Sequence, residues 1–248
     1  EVPIDIDLED CVWEEPDHEK VLELFDRLEF DSLKERFIKK QKISKEDIEL
    51  IELDSEEAIK ELSSEIRNNG KVGLEIILDD YNNAISTSYS RVLIATETEK
   101  VYTITANNFN LEDFKSVLEN KQIEKYLLHS KEVMLFLKRK GIEVRGLKFD
   151  PLLAAYLLNP SNSLPSLEDL LRKELDIILN DEMSYFKSSG YILGNIFKIK
   201  QKLVDKLEEN KVLELYNDIE LPLIKVLVDM EYNGIKIDDN YLNQLSEK

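Results

Sequence analysis

Lys71-Val72-Gly73-Leu74-Glu75-Ile76-Ile77-Leu78 is the stretch on which the fold turns. It follows Asn68-Asn69-Gly70, a strong turn signal, and it is a short apolar run of β-prone residues broken by one acid, which predicts a strand. Two further strand-like runs follow at 89–95 and 101–104, separated by the turn-prone Asn82-Asn83 and by the polar residues 97–100. Three such runs in succession predict a meander. After Asn110, a helix-capping residue, 111–118 reads as helix, 125–128 as a short apolar strand, and 131–140 as helix again until Gly141 closes it. Strands followed by alternating helices and strands predict a mixed α/β sheet.

Working outward, the N-terminal side is helical and charged. Residues 1–15 are acidic and irregular, and Pro16-Asp17 then introduces a helix whose apolar face is Val21, Leu22, Leu24, Phe25 and Leu28. A polar stretch at 39–45 leads to a helix predicted at 56–67. On the C-terminal side, Asp150-Pro151 supplies an N-cap and a proline at the first helical position, and Ser166-Leu167-Glu168-Asp169 is a capping-box pattern. A long helix is predicted at 195–212, with Ile196, Ile199, Leu203 and Leu207 spaced for burial.

Composition narrows the function classes. The 248 residues are 42% hydrophobic, enough to fill a sizeable core, and 52 acidic against 33 basic residues give a formal net charge of −19. That field repels phosphate backbones, so a nucleic-acid surface would have to be a local basic patch. Lys34–Arg36–Lys39–Lys40–Lys42 and Lys138–Arg139–Lys140 are the candidates, and both also fit solvated faces of amphipathic helices. No apolar run reaches the ~18 residues that would span a bilayer, and the single cysteine, Cys11, leaves no intramolecular disulfide or cysteine-rich zinc cluster. No membrane association is expected, and a cytoplasmic location is.

Two motifs in the second half carry a family resemblance. Leu215-Tyr216-Asn217-Asp218-Ile219-Glu220-Leu221-Pro222-Leu223, with Val226-Leu227-Val228-Asp229-Met230-Glu231-Tyr232-Asn233-Gly234-Ile235-Lys236-Ile237-Asp238, resembles the start of the polymerase domain in family A DNA polymerases, the bacterial DNA polymerase I group. Upstream, Gly141-Ile142-Glu143-Val144-Arg145-Gly146, Phe149-Asp150 and the run from Leu152 to Pro160 resemble the middle of that family's 3′→5′ exonuclease domain. Residues 17–30 are similar to the connector after the 5′-nuclease domain. The resemblance implies a ribonuclease H-like mixed sheet with flanking helices, a helical N-terminal arm and a helical C-terminal extension. It divides the chain into a connector at 1–67, an exonuclease-like domain at 68–212 and the start of the polymerase domain at 213–248. The sequence ends at Lys248, ahead of any palm or fingers sequence, so this stretch is not expected to synthesise DNA.

Active members of that family hold two divalent ions with an Asp-x-Glu pair on the first strand, an Asn-x-x-x-Asp pattern before the middle helix, and a Tyr-x-x-x-Asp pattern on a late helix. Here the acidic pair falls on Glu75 and Ile77, or, slipped by two, on Gly73 and Glu75. Either register leaves one carboxylate, and taken alone Glu75 reads as an ordinary edge or solvent-facing glutamate. The second pattern, counted back from Gly141, falls on His129 and Val133. The third falls on Tyr191 and Asn195, with an interval to the polymerase-like motif shorter than the family's. None of these six vestigial positions, Glu75, Ile77, His129, Val133, Tyr191 and Asn195, is expected to be a catalytic residue or metal ligand, and Glu75 or Ile77, Val133 and Asn195 are expected to converge at one end of the sheet with no metal between them. The reading is a catalytically inactive exonuclease-like domain that acts as a scaffold, with no cofactor of its own; magnesium is expected only for the parent polymerase. Its expected partners are the polymerase domain of the same chain and, in that context, DNA. Two alternatives are an exonuclease with displaced carboxylates drawn from Glu75, Asp79, Asp80 or Asp150, and a DNA-guiding or protein-interaction module. Asp150, placed before Pro151, reads as a helix cap.

Overall fold

A computed structural model describes residues 17–28, 30, 48–108, 110–160, 165–175 and 185–246. The chain separates into two compact units, Glu1–Ser44 and Lys45–Lys248. In the first, the described residues form helix α1 (His18–Arg27), with Phe25 and Phe30 rings 6.4 Å apart. The basic run at residues 34–42 lies outside the described residues.

The second unit is built on a six-stranded mixed sheet. Its strands are β1 (Glu49–Glu52), β2 (Lys71–Leu78), β3 (Tyr89–Glu97), β4 (Lys100–Thr105), β5 (Glu124–Leu127) and β6 (Leu147–Phe149), in spatial order β1-β4-β3-β2-β5-β6. The meander β2-β3-β4 is antiparallel, as the sequence predicts, while β1 joins β4 and β5 and β6 extend from β2 as parallel strands. Helix α2 (Glu56–Asn69) starts where Ser55 Oγ accepts the Ala58 N–H and stops at Gly70, whose φ of 68° gives the left-handed C-cap. It feeds the chain straight into β2.

The remaining helices are α3 (Lys115–Leu118), α4 (Ser130–Arg139), α5 (Pro151–Leu158), α6 (Leu167–Leu175), α7 (Tyr185–Gly194), α8 (Ile196–Glu209), α9 (Leu221–Asn233) and α10 (Asp239–Ser246). The stretch predicted as one helix at 111–118 divides into a 3-10 turn, Leu111–Phe114, and α3, because Asn110 caps the Glu112 N–H (3.1 Å) and tightens the first turn. Asp150 caps α5 as predicted, accepting from Leu152 N (2.9 Å) and Leu153 N (3.1 Å). The capping box before α6 is also formed, with Ser166 N donating to Asp169 and Asp169 N donating to Ser166 Oγ. Burial of Ile196, Ile199, Leu203 and Leu207 follows the predicted spacing.

Two features needed tertiary context. β1 is too short and too acidic (Glu49-Leu50-Ile51-Glu52) to announce itself, and it is a strand because β4 offers a free edge. The polymerase-like motif runs through a short helical turn, Leu213–Leu215, and a π turn, Tyr216–Glu220, into α9. Tyr216 anchors it from a buried position: the Asp150 N–H donates to the Tyr216 hydroxyl (2.8 Å), which donates in turn to the Asp150 carbonyl (3.2 Å). Lys138 pairs with Asp229 and lies over the Tyr232 ring, so it ties α4 to α9 and is no free cation of a basic face. Among the described residues no helix is long and apolar enough to cross a membrane.

Candidate functional site around Glu75

Side chains of a strand alternate, so Gly73, Glu75 and Ile77 share one face of β2. That face lies under α7 and α8: a Cβ on Gly73 would come within 2.9 Å of Ile196 Cγ2 and 3.3 Å of Leu193 Cδ1. The site of a slipped acidic pair is thus filled by apolar side chains. Ile77 is half-buried against the core. Glu75, between them, is fully buried on a central strand. The expectation of an ordinary edge or solvent-facing glutamate is therefore corrected: pairing on both sides of β2 and the cover of α7 remove it from water.

A buried carboxylate needs donors. Three groups from three different elements supply them to one oxygen. The Tyr81 hydroxyl, from the 3-10 turn Tyr81–Asn83 after β2, donates to Glu75 Oε1. The Tyr185 hydroxyl, from the first residue of α7, donates at 3.3 Å, and His129 Nδ1, from the junction of β5 and α4, lies at 3.3 Å. Their rings pack on one another, with Tyr81 centred 4.7 Å from His129 and 5.8 Å from Tyr185. His129 takes a left-handed backbone conformation, φ 50° and ψ 50°, which costs a non-glycine residue on the order of 1–2 kcal/mol. It is held there by the start of α4, where Val133 N donates to His129 O (3.0 Å) and Asp150 Oδ2 accepts the Ser130 N–H (3.1 Å).

Burial shifts every titrating group of the cluster. It raises the Glu75 carboxyl above the ordinary glutamate range, against the lowering effect of His129 and the tyrosine hydroxyls. It pushes both Tyr81 and Tyr185 up, with the Glu75 charge adding to the effect. For His129 burial acts downward, but the hydrogen bond and charge of Glu75 outweigh it, and the imidazole is raised. Glu75 and His129 therefore each hold a proton to higher pH than the same side chain free in water. Two buried side-chain atoms of the region, Glu75 Oε2 and Ser189 Oγ, have no hydrogen-bond partner.

The structure brings Glu75 and His129 together, with Val133 fully buried in the first turn of α4. It does not bring Tyr191 or Asn195 to them. Tyr191 is six residues beyond Tyr185 on α7, roughly 9 Å along the helix and about 120° around it. Asn195 Nδ2 donates to Tyr191 O (3.0 Å), beside Gly194, whose carbonyl accepts from Glu99 N at the far end of the helix. The residue missed in the sequence is Tyr185. Tyr185-Phe186-Lys187-Ser188-Ser189 has the same Tyr-x-x-x spacing six residues earlier, with Ser189 one turn on from the tyrosine and on the same face. The short interval after Tyr191 was the available signal.

The carboxylates considered as a displaced metal site are engaged elsewhere. Asp79 accepts from Ser88 Oγ, Asp80 caps Asn82 N (2.9 Å), and Asp150 caps α5 and holds Ser130 N. Among the described residues no group of three or more His, Cys, Asp or Glu is arranged to hold a metal ion.

Comparison with known proteins agrees with this architecture. The family model for the DNA polymerase I ribonuclease H-like domain matches residues 73–210. DNA polymerase I of Bacillus subtilis (strain 168) is 27% identical over 263 residues, covering 100% of this chain and 30% of the relative. The thermostable DNA polymerase I of Thermus thermophilus is 35% identical over 121 residues, covering 48% of this chain and 13% of the relative. Of the solved structures, the POL domain of Pol1 from M. smegmatis, in complex with DNA primer-template and dNTP, superposes with a TM-score of 0.69 at 22% identity, covering 80% of this chain and 34% of that one. Escherichia coli RNase D, an exoribonuclease, superposes at 0.58 with 14% identity, over 74% of this chain and 51% of that one. These two likenesses establish the ribonuclease H-like fold. The chain spans about 30% of the length of the Bacillus subtilis relative.

Proposed function

Because the chain belongs to the DNA polymerase I ribonuclease H-like family, we propose that it is the exonuclease-like module of such a polymerase, without nuclease chemistry of its own, and that it serves as a scaffold for the polymerase domain. The observation that carries this reading is the closure of Glu75. Two-ion hydrolysis needs several carboxylate oxygens aimed at a shared space, where the ions stabilise the attacking and leaving oxygens. The donor set does not fit that requirement. Oε1 of Glu75 is taken by Tyr81, His129 and Tyr185, Gly73 is roofed by Ile196, Val133 is apolar, and a serine stands at 189. Asp79, Asp80 and Asp150 serve turns and caps.

The scaffold half of the proposal is supported by the way α9 is fastened. Tyr216 is bonded at both ends of the Asp150 peptide, and Lys131–Glu231 (2.7 Å) and Lys138–Asp229 join α4 to α9. The helix that carries most of the polymerase-like motif is thus fastened to α4 and, through Tyr216, to the Asp150 peptide. The test is direct: a 3′-labelled single-stranded oligonucleotide incubated with the purified chain and magnesium or manganese should release no mononucleotide. Metal-dependent release, abolished by chelator and by Glu75→Ala, would overturn the proposal and favour an exonuclease with displaced carboxylates.

A further inference from the structure

At the opposite end of β5 from His129 lies a cavity of about 700 Å³, lined by the loop before β5, the loop into β6, and the first residues of α9. In a chain of net charge −19, four of its lining residues are cations, Lys121, Arg145, Lys148 and Lys225, against one carboxylate, Asp218. Its floor is apolar and belongs to the core, with Met134, Val144 and Leu221 buried. We propose that this cavity binds a compact polyphosphate anion, either free or as the tail of a nucleotide.

The site is preorganised by the backbone. Gly146 adopts φ 76°, and a Cβ there would meet the Ile123 carbonyl at 2.6 Å, so only glycine lets the β6 loop turn against the β5 loop. Lys125 N donates to Gly146 O (2.8 Å) and Arg145 N to Leu118 O (3.0 Å), which pins both sides of that turn. Glu143, outside the cavity, accepts from Arg145 Nη2 (2.8 Å) and Lys225 Nζ (3.1 Å) and so holds two cations side by side at the rim. Lys121 and Lys148 have no ion pair or side-chain hydrogen bond among the described residues. Their ammonium groups are thus free to contact a ligand.

The shape selects the class of anion. No aromatic side chain lines the cavity, so it lacks the stacking platforms by which single-stranded nucleic acid is tracked. A long polyanion would also meet the repulsion of the whole chain, while a compact one feels mainly the cations within a Debye length of ~8–10 Å. The volume is of the size that takes a nucleotide-sized ligand.

The experiment is calorimetric titration of the full chain with inorganic tripolyphosphate and, separately, ATP, at low and at physiological salt. Saturable binding with a Kd below ~1 mM is expected at low salt, weakening as salt rises. Lys121→Glu with Lys148→Glu should weaken it by ~10-fold or more, whereas the equally charge-reversing pair Lys187→Glu with Lys236→Glu, on exposed positions outside the cavity, should change it by less than ~2-fold. If the first pair fails to fold by circular dichroism, Lys121→Ala with Lys148→Ala takes its place, with the same direction of effect. Absence of saturable binding, or equal loss in both pairs, overturns the proposal, the latter because only the overall field would then be acting. ATP binding ~10-fold tighter than tripolyphosphate would identify a nucleotide as the source of the polyphosphate, and equal binding the free anion.

Discussion

Val133→Asp puts back the acid that a two-ion site would need one turn after His129, and the structure predicts that it damages the protein without restoring a cage. Val133 is fully buried, so the exchange loses an apolar side chain whose burial is worth ~1.5 kcal/mol or a little more. Valine and aspartate are close in size, so no cavity is opened, but the new carboxyl has no donor arranged for it. An unsatisfied buried polar group costs about 1–3 kcal/mol, and an unpaired buried charge about 3–5 kcal/mol. The combined loss is on the order of 3–5 kcal/mol, a large share of the ~5–15 kcal/mol by which native proteins are stable. With a urea m-value of about 2 kcal/mol/M, the midpoint should fall by ~1.5–2.5 M. Unfolding would be followed by fluorescence with and without millimolar manganese. The midpoint of the variant should be no higher with the metal, and the oligonucleotide assay should remain blank. A loss below ~1 kcal/mol, or a midpoint rescued by manganese in the variant and not in the parent, would refute the reasoning, since it would mean that ligand oxygens still converge there.

The raised Glu75 carboxyl and His129 imidazole set a pH dependence. Both groups are raised on folding, so the folded state binds more protons than the unfolded one, and stability contributed by the pair falls as pH rises from about 4.5 through and above 6.5. Glu75→Gln should flatten that slope in urea titrations at a series of pH values, and an unchanged slope would show that the pair does not carry it. Tyr216→Phe should cost about 1–3 kcal/mol, because it leaves the buried Asp150 N–H without an acceptor, and a neutral result in thermal unfolding would remove the hydroxyl from the anchoring of α9. The stripe Ile219, Leu223, Leu227 and Met230 is exposed, while Leu221, Ile224 and Val228 face the core, so the isolated chain should self-associate in light scattering. Ile219→Glu with Met230→Glu should abolish that association, and a strictly monomeric parent would argue against the stripe as a contact surface.

What the sequence determined by itself was whatever depends on neighbours along the chain. The apolar runs of β2 to β4, the caps at Asn110 and Asp150, the box at Ser166 and Asp169, and the burial spacing of α8 are set by local sequence, and each can be seen within a few residues. The polymerase-like motif was legible for the same reason, since its helix, glycine stop and following residues are contiguous. Tertiary structure decided everything that joins distant segments. β1 is a strand only because β4 has an open edge some fifty residues later, and Glu75 is buried only because β3, β5 and α7 close around it. Two tyrosines six residues apart look alike in sequence, yet only Tyr185 reaches Glu75, because α7 packs on the sheet with that end at the centre of β2. The cationic cavity likewise assembles from residues 121, 145, 148 and 225, whose proximity no spacing encodes. Hydrogen bonds and fields act through space, and the chain's own order records only the part of space that lies within a turn or two of each residue.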